Sequence, residues 1–265
     1  LIFRTSAMNG SICLPRPQAS SHKGQNGVIL IIGGSKTYHG APILAVRAAV
    51  RFCDLAYFSS TEENNSFARK MKLSTANVIV LPESRRSEFI ERADCVLIGN
   101  GMDADSRTKS LVSAILKTKK KCVLDAAALR VVKKEQLHEK AIVTPHTLEF
   151  KSAFGLEANE KNAAAASKKY NCTILLKGKE DIIASQGKIA HVPGGNAGMT
   201  KGGTGDVLAG LLAALYSRCD SPMKAAYTAS FLNKKSGEIL FRCFGYNFSS
   251  EDLADELAFV AAAMG

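Results

Sequence analysis

Residues Gly194–Gly210 read GGNAGMTKGGTGDVLAG and run directly into Leu211–Tyr216, LLAALY. From Val207 to Leu215 no residue is polar, so a helix here is apolar on every face and must be buried. Just before it, Gly202-Gly203-Thr204-Gly205-Asp206 lets backbone N–H groups converge on an anion at the positive end of the helix, because glycine admits a phosphate close to the chain. Asp206 falls in the first turn, where a carboxylate is favoured and can accept the proton of a hydroxyl attacking phosphorus. The same residues also suit a tight turn closed by an acidic cap. A P-loop is excluded, since that motif needs Gly before its Lys and Ser or Thr after it, whereas Thr200 precedes Lys201 and Gly202 follows.

Upstream of this segment, short apolar runs recur with helical stretches between several of them: Val28–Ile32, Leu55–Ser59, Val78–Leu81, Cys95–Ile98, Lys121–Asp125, Ala141–Thr144 and Thr173–Lys177. Runs this short and continuous suit strands buried on both faces, and their alternation with helices predicts a doubly wound α/β fold with a mainly parallel sheet. Asp181–Ser185 and Lys188–Val192, joined around Gln186-Gly187, predict a hairpin. Downstream, Ser221-Pro222 and Ser249-Ser250-Glu251-Asp252 mark two helix starts, by a cap with a first-turn proline and by first-turn acids.

The chain has 265 residues, 46% apolar and 22% charged, which suits one large globular domain over 27–265 behind a Ser-, Gly- and Pro-rich tail or linker over 1–26. It begins with Leu1, which suggests a processed chain or the second half of a longer polypeptide. No apolar run reaches the roughly 20 residues of a membrane span, so no membrane role is expected. A formal charge of +11 attracts anions of any kind. The densest basic run, Lys117 to Lys121, has no interleaved aromatics, so it reads as a solvated helix end and no nucleic-acid partner is expected. Seven scattered cysteines show no CxxC pair and no Cys/His ligand spacing, so neither a disulfide framework nor a protein metal site is expected, and a reducing cytoplasm fits.

Two more glycine loops follow strands. Gly99-Asn100-Gly101-Met102-Asp103-Ala104, with Asp125 ending the next strand, matches the dinucleotide fingerprint formally and keeps a nicotinamide dehydrogenase open as a rival reading. Gly33-Gly34-Ser35, with Gly40-Ala41 beyond, lies where open α/β sheets bind ligands. At two later strand ends stand His146, able to hydrogen-bond a substrate, and Lys177, able to meet phosphate, though each also suits a plain loop position.

In order, GGSKTYHGAPILAVRAA, VLIGNGMD, VLDAAAL, VTPHTLEF, LLKGKEDIIAS and GGNAGMTKGGTGDVLAGLLAAL resemble the ADP- or ATP-dependent NAD(P)H-hydrate dehydratases, a ribokinase-like family, from about Gly27 to the C-terminus. The resemblance implies repair of hydrated NADH and NADPH: ADP or ATP phosphorylates the ring hydroxyl, and phosphate then leaves to restore the double bond. It implies substrate contacts from Ala41, Gly101, His146 and Asp206, with Asp206 catalytic. Lys177, Gly178, Lys179, Glu180, Asp181, Gly202, Gly203, Thr204 and Gly205 would hold the nucleotide, with Mg2+ escorting its phosphates. It also points to a homo-oligomer and to an NAD(P)H-hydrate epimerase as a linked or separate partner.

Three motifs depart from the family pattern: Gly-Pro-Gly-Leu-Gly becomes Gly99-Asn100-Gly101-Met102-Asp103, Asp-x-Asp-Ala-Leu becomes Asp125-Ala126-Ala127-Ala128-Leu129, and His-Pro-Gly-Glu becomes His146-Thr147-Leu148-Glu149. Loss of the second acid, at Ala127, leaves open a non-catalytic nucleotide-binding protein. A kinase of a vitamin precursor, such as a hydroxyethylthiazole or a hydroxymethylpyrimidine, would share the Gly-Thr-Gly-Asp centre.

Overall fold

The computed structural model describes residues 12–71 and 76–264. Nine strands form one sheet: β1 Val28–Ile32, β2 Leu55–Ser59, β3 Val78–Leu81, β4 Cys95–Ile98, β5 Lys121–Leu124, β6 Ala141–Val143, β7 Thr173–Leu176, β8 Asp181–Ser185 and β9 Lys188–Val192. Their order is β3-β2-β1-β4-β5-β6-β7-β8-β9, parallel through β7, with β8 and β9 added antiparallel as the expected hairpin. The chain reverses its direction of travel across the sheet between β1 and β4. Ligands of open α/β sheets lie outside the carboxyl ends of the strands at such a point.

Ten α-helices flank the sheet: α1 Gly40–Ala49, α2 Glu62–Met71, α3 Arg86–Arg92, α4 Ser106–Lys117, α5 Ala127–Val131, α6 Thr147–Phe154, α7 Glu160–Lys169, α8 Thr204–Arg218, α9 Pro222–Phe244 and α10 Ser250–Ala262. Period-two alternation divides the core. Ile29, Ile31, Leu97, Val123 and Leu175 pack toward α1, α8, α9 and α10, while Leu30, Ile32, Val96, Leu124 and Val143 pack toward α3 to α7. Both faces are covered over the middle of the sheet, which is why the central strands β1, β4 and β6 are wholly apolar.

Helix α8 is buried along nearly its whole length, from Val207 to Ser217, as its composition requires. It lies so close to α1 that a side chain at Gly210 would overlap the carbonyl of Ala45. Ser221 caps α9 by accepting from the Lys224 amide, and Ser249 and Asp252 form a capping box at α10. Lys120 and Lys121 of the basic run donate to main-chain carbonyls, of Ala93 at 3.2 Å and Cys219 at 3.0 Å, and form no open cationic patch.

Two features differ from expectation. The strands expected to end at Asp125, Thr144 and Lys177 each stop one residue earlier. Those three residues turn their side chains into a shared polar network at the strand ends. The second difference is a Cys13–Cys219 disulfide, although the cysteine scatter gave no sign of one. Its partners are 206 residues apart, so no local spacing announces it. The bond fastens the segment around Ile12–Leu14, which packs against the α8 side of the core and donates the Cys13 amide to Thr228 Oγ1 at 2.8 Å.

Candidate active site

Gly203 sits at φ 97°, in the left-handed region, where a side chain would overlap Leu44 and crowd Ser250. That turn starts α8 with no side-chain cap, and the Thr204 amide makes only a long bond of 3.4 Å to the Lys201 carbonyl, so the helix start keeps donor capacity for an anion. The Thr204 hydroxyl donates to the carbonyls of Met199 and Lys201, and Ser250 Oγ donates to Gly202 at 2.7 Å, fixing the loop from behind. Lys201 points away, its ammonium on the carbonyls of Tyr246 and Phe248 at 2.5 and 2.6 Å. The reason this chain is not a P-loop is thus visible: its loop lysine is a strut between α8 and α10.

A cavity of about 700 Å³ opens beside Gly205, walled by Lys177–Asp181, Gly194–Ala197, Leu208, Asn233 and Lys234. Its floor is built by charge. Asp181, buried, accepts from the Gly178 amide and from Ser230, and the Lys234 ammonium bonds the carbonyls of Gly178, Lys179 and Gly194. Asp181 therefore shapes the loop. Lys179 and Glu180 are exposed at its rim, where Glu180 meets His191 at 3.1 Å.

On the other side of Asp206 lies a compact polar cluster. Asn100 Nδ2 donates to Asp206 Oδ1 at 2.6 Å and to Asp125 Oδ2 at 2.9 Å. Asp125 Oδ1 accepts from Thr144 Oγ1 at 2.7 Å and from the Lys177 ammonium at 2.9 Å, and Glu149 stands 3.8 Å from that ammonium. Ala126 next to Asp125 holds φ 47°, a strained conformation for a residue with a Cβ, costing on the order of 1–3 kcal/mol. Burial first, then the neighbouring Asp125 charge, pushes the Asp206 carboxyl up to about 6. Burial works against the Lys177 ammonium, but Asp125 and Glu149 outweigh it and hold the group above its usual range.

The expected substrate residues line the same edge. Gly101, at φ 70°, packs against α1 so tightly that its Cβ would stand 3.2 Å from that of Ala41. His146 is the N-cap of α6: Nδ1 accepts from the amides of Leu148 and Glu149, while Glu149 accepts from the His146 amide. A parallel bridge sets it beside Lys177. Gly33 and Gly34 complete the edge, the Gly34 amide donating to Asn100 O at 2.8 Å. Sequence reasoning missed Asn100 as a contact of Asp206 and Lys234 as the organiser of the cavity floor. The signal for Asn100 was its departure from the family motif, and Lys234 gave none. The Asp125 carboxylate, expected at a ribose under the dehydrogenase reading, is instead committed to Asn100, Thr144 and Lys177.

Residues 29–258 match the family model for NAD(P)H-hydrate dehydratase. The chain belongs to this family. An ADP-dependent (S)-NAD(P)H-hydrate dehydratase of Nitrosopumilus maritimus is 34% identical over 268 residues, covering 93% of this chain and 92% of that one. Other curated relatives are bifunctional NAD(P)H-hydrate repair enzymes, and the chain spans about half their length, 50% of the one from Methanocaldococcus jannaschii. Among solved structures, a ribokinase-like superfamily protein from Enterococcus faecalis aligns with TM-score 0.85 at 23% identity over 94% of this chain and 91% of that one. The ADP/ATP-dependent NAD(P)H-hydrate dehydratase of Bacillus subtilis, co-crystallised with ATP/Mg2+, aligns with TM-score 0.83 at 24% identity over 94% and 93%. The fold is therefore the ribokinase-like α/β fold of the NAD(P)H-hydrate dehydratase family. Among the described residues no helix is long and apolar enough to cross a membrane.

Proposed function

We propose that the chain dehydrates hydrated NADH and NADPH at the expense of ADP or ATP. The observation that carries this is the placement of Asp206, with the glycine-rich start of α8 and a cavity of about 700 Å³ on one side and the Gly33–Ala41 and Gly99–Asp103 loops on the other. A nucleotide in the cavity brings its terminal phosphate to the amides of Gly202 to Gly205, with Lys177 supplying positive charge. A hydrated nicotinamide along Ala41, Gly101 and His146 brings its ring hydroxyl to Asp206. Asp206 accepts the hydroxyl proton as the oxygen bonds to phosphorus and the bond to the nucleotide's leaving phosphate breaks; the helix amides stabilise charge on the transferring group. Loss of phosphate from the ring carbon, with a proton from the adjacent carbon, then restores the double bond.

Among the described residues no group of three or more His, Cys, Asp or Glu is placed to hold a metal. Mg2+ would be carried chiefly by nucleotide phosphates and water, the usual mode of this ion beside a phosphate. The bifunctional relatives support an NAD(P)H-hydrate epimerase as partner, linked or separate. Exposed Phe241, Phe244 and Tyr246 support a homo-oligomer, which native mass measurement tests. Five unpaired cysteines support a cytoplasmic location, and the Cys13–Cys219 bond argues against it. Alkylation before lysis decides: recovery of that pair as alkylated thiols supports the cytoplasm, and recovery as a disulfide overturns it.

The decisive assay is incubation with hydrated NADH, ADP or ATP and Mg2+, following the absorbance of the reduced nicotinamide. Recovery with either nucleotide is expected. No recovery with both would sink the proposal, and phosphorylation of a thiazole or pyrimidine alcohol instead would point to the kinase reading.

A further inference from the structure

Asn100 occupies the switch point between β1 and β4, in the loop where the family usually has proline. Its backbone is held on three sides. The carbonyl accepts from Gly34, Gly99 at φ 122° leaves no room for a side chain against the Asp125 carbonyl, and Gly101 at φ 70° is wedged against α1. The side chain is completely buried. One Nδ2 serves two carboxylates, Asp206 and Asp125, at 2.6 and 2.9 Å, while Oδ1 has no hydrogen-bond partner. Turning the amide over would aim Oδ1 at two anions, so the charges lock its orientation even though an acceptor is left unpaired.

We propose that Asn100 is a positioning residue for Asp206, tying its carboxylate through one amide to the anchored carboxylate of Asp125 so that the remaining oxygen is presented in a single direction to the substrate hydroxyl. Asp125 itself cannot swing, because Thr144 and Lys177 grip its other oxygen. The charged groups acting on Asp206 are Asp125 beyond β5, Lys177 beyond β7 and Glu149 of α6, with His146 standing beside Glu149 and Lys177. Two are acids and only Lys177 is a fixed cation, so with the burial of Asp206 the cluster favours uptake of a proton. Asn100 opposes that uptake by donating to the ionised form of Asp206, and Lys177 assists. A proline at this position offers neither N–H, so Asp206 is held here by a contact that the usual motif does not contain.

This inference rests on the proposed role of Asp206, and its test reads the carboxyl directly. Carbon-13 NMR titration of aspartate-labelled protein, with the Asp206 signal assigned by its loss in Asp206→Asn, is expected to give a midpoint near 6 in the wild type. Asn100→Ala should raise that midpoint by about one pH unit, the effect of one hydrogen bond to a charged group. Asn100→Asp, close to isosteric, should raise it further by adding a third carboxylate. The acid limb of kcat should move with the midpoint, while KM for the nucleotide stays within about twofold. A folded variant in which neither the midpoint nor the limb moves would overturn the inference, as would loss of folding in both variants, which would make Asn100 structural only. Absence of turnover in the wild type would sink the functional proposal and leave the titration readable.

Discussion

The two ends of α8 put the same chemistry to opposite use. At its N-terminus a carboxylate is buried among other carboxylates, and burial drives Asp206 up to about 6. At the opposite edge of the sheet, toward the α8 C-terminus, exposed carboxylates cap main-chain amides. Asp54 accepts from the amides of Gly24 and Asn26 at 2.9 and 3.0 Å, and Asp94 accepts from Val28 at 2.8 Å. Desolvation opposes these bonds at Asp54, but they prevail and hold it below its usual range. One edge holds charge under electrostatic strain, ready to take a proton; the other spends its acids and the Cys13–Cys219 bond on holding the chain together.

Changes at Asp206 should have the largest effect on rate. Asp206→Ala is expected to lower kcat by about 10³-fold or more while nucleotide affinity changes by less than about threefold. Single-turnover kinetics and a nucleotide titration check this, and a kcat near the wild-type value would remove Asp206 from the reaction. At the other end, Cys13→Ser should cost about 2–4 kcal/mol of stability, because it reopens a loop of 206 residues, yet leave kcat unchanged at moderate temperature. Denaturant unfolding with and without reductant measures the difference.

Next in size is a gain. Since the folded state holds the Asp206 proton more tightly than the unfolded chain, its contribution to stability falls as pH rises through the window from 3.8 to about 6. Asp206→Asn should therefore stabilise the ligand-free protein at pH 7 by on the order of 2–3 kcal/mol, a gain that vanishes near pH 4. Asp54 should show the reverse slope: its contribution is present above its ordinary value of 3.8 and is lost as pH falls below that value. Exposure and solvent screening keep this effect small, so Asp54→Asn should shift Tm by no more than about two degrees. If the two aspartates gave the same sign of slope, the contrast between the edges would fail.

Most of the fold was legible because central strands such as β4 and β6 are buried on both faces and so are apolar without interruption, while the hairpin β8–β9 shows itself by its Gln186-Gly187 turn; all nine strands begin where the sequence reading starts them. The ends were read one residue too long at Asp125, Thr144 and Lys177, since residue type does not show where a chain leaves the ladder to aim a side chain. The placement of Gly203 and Asp206 at the start of a buried helix was legible because the glycines precede a stretch with no polar face. Asn100 was visible only as an oddity in a motif, as its two partners come from positions 125 and 206. Lys234 looked like any lysine on an amphipathic helix until the loop carbonyls closed around it. Cys13 and Cys219 are 206 residues apart in sequence and neighbours only in the folded chain.

The most direct test of the account is the pH dependence of kcat for nucleotide-driven recovery of reduced nicotinamide from its hydrate. The account predicts a rate that rises with one ionisation near pH 6 and is abolished in Asp206→Asn. A rate independent of pH between about 5 and 8, or an Asp206→Asn variant as fast as the wild type, would contradict it.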